Sequence, residues 1–73
     1  MQSPEIDELL PVGPAAKLLN VSTKWLERHR IEGDGPPYVK IGRRVVYRRA
    51  DIMAWLEQRR FRSTAEAQRV GVL

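Results

Sequence analysis

The sequence predicts a mainly α-helical single domain that carries one small β-hairpin. Three observations lead there. Apolar residues recur at helical spacing in three stretches, beginning near Pro14, after Ser22 and from about Arg49. A glycine- and proline-rich break, Gly33-Asp34-Gly35-Pro36-Pro37, ends the second stretch. Between that break and the third stretch lie two β-branched and aromatic runs, Tyr38-Val39-Lys40-Ile41 and Arg44-Val45-Val46-Tyr47, joined by Gly42-Arg43.

The bulk composition agrees. A chain of 73 residues, 42% hydrophobic and 30% charged, suits one small folded domain and is too short to enclose a large substrate pocket. It has no cysteine, so neither a disulfide framework nor a thiolate zinc site can supplement the core. No apolar run approaches the roughly 18 to 20 residues that a membrane-spanning helix needs, and an acidic start is unlike a signal peptide. The expected location is the cytoplasm. The net charge of +4 is unevenly spread: Glu5, Asp7 and Glu8 precede any base, whereas residues 40–62 hold Lys40, Arg43, Arg44, Arg48, Arg49, Arg59, Arg60 and Arg62 against Asp51 and Glu57. A concentrated basic surface favours a polyanionic partner.

Residues 1–8 read as a flexible arm, 9–60 as the folded domain and 61–73 as a tail, with a weakly amphipathic piece from Ala65 to Val70. Gly13 and Pro14 predict the start of a first helix, since proline at the first helical position loses no needed hydrogen bond. That helix runs through Leu19. Asn20 can take the left-handed conformation that ends a helix, and Ser22 can cap the next through its side-chain oxygen. In the second helix Leu26 and His29 or Arg30 share an inward face with Val21, leaving Thr23, Lys24, Glu27 and Arg28 outward. After the break and the hairpin, Ile52, Trp55, Leu56 and the stem of Arg59 form the inward face of a third helix, with Asp51 in its first turn.

Helix, tight turn, helix and β-hairpin together make a winged helix-turn-helix, and in such proteins the start of the second helix meets base edges in the major groove. Here that start offers Ser22, Thr23, Lys24, Glu27 and Arg28. Lysine and arginine suit guanine, glutamate suits cytosine, and serine or threonine suits bases or phosphates. At the hairpin, Lys40, Arg43 and Arg44 form a basic wing that can follow phosphates or enter a narrow minor groove. Lys17, Arg30 and Arg48 are further candidate phosphate contacts.

The stretches LLPVGPAAKLLNVS and GDGPPYVKIGRRVVYRRADIMAWL, with the spacing between them, resemble the excisionase-like winged helix-turn-helix family, related in fold to MerR regulators and AlpA-type phage regulators. The resemblance covers about residues 9–60. It implies a recognition helix from Ser22, a wing at Ile41 to Val45, and a role as recombination directionality factor or transcription regulator in a bacterial cell, encoded by a phage or mobile element. By the same resemblance, such proteins associate cooperatively on adjacent double-stranded DNA sites, bend the duplex and help an integrase assemble its excision complex. The small size favours the excisionase over a full regulator of MerR type. Two positions depart from the family's pattern: His29 stands where many relatives carry an aromatic or aliphatic residue, and Ala50 where an acidic residue often precedes Asp51.

Blander readings apply to several residues. His29 has neither a cysteine nor a second histidine to complete a metal site and reads as a packing residue. Glu32 and Asp34 are flanked by glycines that give no fixed geometry for a metal or for acid–base catalysis. Trp55 is at core spacing, whereas Trp25 divides evenly between packing and base stacking. Arg59, Arg60 and Arg62 suit the end of a helix dipole at least as well as a phosphate. No phosphate-binding glycine motif or nucleophile elbow occurs. The expectation is therefore a DNA-binding protein without enzymatic activity, cofactor, metal, membrane or small-molecule substrate, with a protein-interaction adaptor as the alternative from another class.

Overall fold

In the computed structural model, which describes residues 8–69, the chain runs β1 (Leu9–Pro11), α1 (Val12–Leu19), α2 (Thr23–Glu32), β2 (Val39–Ile41), β3 (Arg44–Arg48), α3 (Arg49–Glu57) and α4 (Thr64–Arg69). The expected arm, except for Glu8, and the last four residues lie outside the described residues.

The helix-turn-helix is built by local hydrogen bonding. Asn20 takes φ 60° and ψ 42°. Its N–H donates to Lys17 O at 3.1 Å while the N–H of Val21 donates to Ala16 O at 3.0 Å, the paired closure of a Schellman motif. Ser22 then caps α2, its Oγ accepting the N–H of Trp25 at 3.0 Å. Ala15 and Ala16 are buried, so α1 and α2 approach closely over their small side chains.

Two boundaries differ from expectation. The first helix begins at Val12, not at Pro14, which becomes its third residue. This costs nothing, because the first turn's N–H groups have no intrahelical partner in any case. The hairpin is also part of a larger sheet. Leu9–Pro11 adds a third strand in the order β1-β3-β2, with Leu10 opposite Tyr47 and Val39 opposite Val46. Three residues are too few for alternation to be read from sequence, and Pro11 is tolerated because β1 is an edge. The hairpin itself has the expected two-residue turn: Ile41 faces Arg44, and Gly42 takes φ +62°, a conformation that side chains other than glycine rarely adopt.

The core lies between the helices and one face of the sheet. Leu10, Ala15, Ala16, Leu26, Tyr47 and Ile52 form it, with Val12, Leu18, Leu19, Val21, Trp25, Val45 and Leu56 packed around. Val45 and Tyr47, two residues apart on β3, point to the same side, as strand periodicity requires. Val46 points the other way and is buried too. Beyond α3, Ser63 Oγ accepts the N–H of Glu66 at 3.1 Å and Glu66 Oε1 reaches back to accept the N–H of Arg62 at 2.7 Å, two bonds that start α4.

Candidate nucleic-acid interface

The start of α2 is open. Ser22, Thr23, Lys24, Glu27 and Arg28 are all exposed, while Leu26 on the opposite face is fully buried. The first turn of α2 contains no acidic residue, so the positive end of the helix dipole is not neutralised locally. Ser22 uses its oxygen as an acceptor in the cap, which leaves its hydroxyl hydrogen for donation. Arg28 bonds Glu32 Oε2 through Nε at 3.1 Å, and the terminal nitrogens of its guanidinium are not part of that bond.

The wing places Lys40, Arg43 and Arg44 at the surface. Gly42 supplies the left-handed residue that lets Arg43 and Arg44 follow in the tightest available turn. Among the further phosphate candidates, Lys17 and Arg48 are exposed. Arg30 is only half exposed, with its guanidinium 5.8 Å from the centre of the Tyr38 ring.

The two tryptophans are both structural. Trp25 is half-buried against the core, stacked on His29 at 3.9 Å between ring centres and edge-on to Trp55 at 6.5 Å. His29 thus packs as an aromatic ring against Trp25. The indole Nε1 of Trp55 is buried without a hydrogen-bond partner among the described residues.

The C-terminal arginines are not placed as their spacing suggested. Helix α3 stops at Glu57, so Arg59, Arg60 and Arg62 lie beyond its last turn. Arg59 covers the Trp55 ring at 4.0 Å and reaches Asp34 O at 3.5 Å, while Arg60 pairs with Glu57 at 3.1 Å. Asp51 does occupy the first turn of α3.

A further correction concerns the loop after α2. Gly33 caps the helix at φ +84°, and both its N–H and that of Asp34 donate to His29 O, at 2.9 and 3.2 Å. The reversal brings Asp34 Oδ1 to 2.5 Å from His29 Nδ1. That hydrogen bond holds the Asp34 carboxyl below its ordinary pKa. At Gly35, a Cβ would lie 3.2 Å from the Cβ of His29, so glycine allows the loop to pass close. The glycines therefore fix this loop against α2, contrary to the flexible geometry expected from sequence. His29 and Glu32, three residues apart on α2, are neighbours by helical spacing, whereas the approach of Asp34 depends on the backbone reversal at Gly33 and has no signal in the spacing.

No helix among the described residues is long and apolar enough to cross a membrane. No curated protein matches the chain. A family model described as a helix-turn-helix domain matches residues 9–60, more than half of the chain and the whole span from β1 past α3. The family is one of DNA-binding domains, not of enzymes. With a capped helix-turn-helix, a three-stranded sheet and its hairpin wing, the chain belongs to this helix-turn-helix family of excisionase-like, AlpA-type DNA-binding domains.

Proposed function

We propose that this DNA-binding protein is a sequence-specific excisionase that acts in the bacterial cytoplasm, encoded by a phage or mobile element. Ser22, Thr23, Lys24, Glu27 and Arg28 enter the major groove, with Thr23, Lys24 and Arg28 as the principal readers. Lys40, Arg43 and Arg44 anchor the wing. Lys17, Arg30 and Arg48 add phosphate contacts, Arg30 the weakest because Tyr38 already holds it. Several protomers bind adjacent sites, bend the duplex and direct an integrase toward excision.

The observation that carries the reading is the division of α2 into a fully buried face at Leu26 and an uncovered face that begins at a capped, undiluted positive helix end. An uncovered polar helix start and an arginine-tipped hairpin in the same small domain suit a duplex, whose major groove admits one helix. Membership of an excisionase-like family supports the more specific role.

A gel-shift series on attachment-site DNA, read together with circular-permutation bending, tests it. Stepwise bands with increasing bend are expected. One unbent complex would leave a promoter-binding regulator as the better reading. Binding insensitive to salt would instead indicate a protein-interaction adaptor.

A further inference from the structure

The far end of α2 brings together three ligand-bearing side chains that have no place in the DNA interface. His29 lies in the last turn, Glu32 is the final helical residue, and Asp34 follows the left-handed Gly33. One donor atom from each, His29 Nδ1 and a carboxylate oxygen of Glu32 and of Asp34, lies within 4.8 Å of the other two. We propose that these residues bind a zinc-class divalent cation, with water in the fourth position.

The spacing fits. Bonds of about 2.0–2.2 Å in a tetrahedral shell separate neighbouring donors by roughly 3.4 Å. His29 Nδ1 is 2.5 Å from Asp34 Oδ1 and 3.9 Å from Glu32 Oε1, one pair inside that separation and one outside it. Reaching it requires rotation of the Glu32 and Asp34 side chains, both of which are exposed. The ion takes the place of the proton that Nδ1 and Oδ1 share.

The ligands are also held from outside. The His29 ring is pinned on Trp25, which itself packs against Trp55. Arg28 bonds Glu32 Oε2, leaving Oε1 as the atom turned toward His29. Arg59 reaches the backbone oxygen of Asp34. Such outer contacts set ligand orientation in metal sites. Two carboxylates and the negative end of the helix dipole attract a cation, and their exposure leaves an entry path.

Ligand chemistry selects the ion. Calcium and magnesium take six or more oxygen donors, whereas one imidazole with two carboxylates and water suits zinc or cobalt. Occupancy would tie the end of α2 to the connection that leads into β2. None of the three ligands is a proposed DNA contact; Arg28 alone is shared, as the outer partner of Glu32, and a zinc titration carried out without DNA is independent of the proposed function.

His29 is the sole histidine of the chain, which makes its ring nitrogens an unambiguous probe. Zinc chloride is titrated into the full chain while the imidazole ¹⁵N resonances are followed. The Nδ1 resonance is expected to shift and to saturate at one equivalent. Glu32→Gln and Asp34→Asn, both at exposed positions, should each weaken binding by roughly tenfold or more, since loss even of an outer partner costs that much. Glu57→Gln should leave it unchanged. A ring that does not respond to zinc, or that responds equally in wild type and both ligand variants, would overturn the proposal.

Discussion

The hydroxyl of Ser22 accepts the N–H of Trp25 at 3.0 Å, and this bond sets the first turn of the helix whose outer face stays uncovered. Trp25 is also the residue that docks α2 on Trp55. Capping and packing therefore fix the start of the helix from two directions.

Ser22→Ala is expected to lower stability by about 1 kcal/mol, as loss of a serine cap typically does. Urea denaturation followed by circular dichroism would measure it. Ser22→Asp restores the cap but sets a carboxylate against phosphate. It should keep wild-type stability and still bind DNA more weakly, which separates the structural role of Ser22 from its contact.

Arg43 and Arg44 are exposed on the turn, so their joint replacement by alanine should leave the denaturation midpoint unchanged. DNA affinity should fall, and its dependence on salt should become shallower. Each phosphate contact contributes roughly 0.9 to the slope of log affinity against log salt. For about six contacts the wild-type slope would be roughly −5, and the double variant should lose about 1.8 of it. Fluorescence anisotropy across a salt series would read both values.

Leu26 is fully buried whereas Ile31, on the same helix, is 80% exposed. Leu26→Ala should cost about 2–5 kcal/mol, enough to unfold much of a domain this small. Ile31→Ala should change stability by no more than about 0.5 kcal/mol. Thermal melts of the two variants test the assigned inner face directly.

Tyr47 is fully buried, and its hydroxyl lies without a close hydrogen-bond partner among the described residues. Burial raises its pKa above the ordinary 10.0, partly opposed by the charge of nearby Arg30. The folded state thus favours the neutral phenol. Its contribution is complete below pH 10 and is lost as pH rises through the folded value, because the unfolded chain ionises first. Tyr47→Phe should leave stability at neutral pH within about 1 kcal/mol of wild type and should flatten the alkaline decline. Denaturation between neutral and strongly alkaline pH would show the difference.

Most of this fold is legible in sequence because its signals are local. Asn20, Ser22 and Gly42 each determine a backbone conformation within their own turn, and Leu26 and Ile52 announce inner faces by spacing. What was not legible depends on distant partners. Strand β1 exists because Tyr47 and its neighbours offer a sheet edge far along the chain. The burial of Val46 depends on what covers the second face of β3. At the interface, spacing identified the outward residues of α2, but could not tell that Arg30 turns onto Tyr38 or that Arg59 covers Trp55. The His29–Asp34 contact needed the left-handed turn at Gly33 before the two side chains could meet.

Selection of bound duplexes from a random pool, carried out with wild type and with Lys24→Ala, tests whether the uncovered face of α2 reads base sequence. Wild type should enrich one defined motif, and the variant should relax it at a single position while still binding DNA through its wing. An unchanged motif in the variant, or no enrichment by wild type, would contradict the assignment of α2 as the reading element.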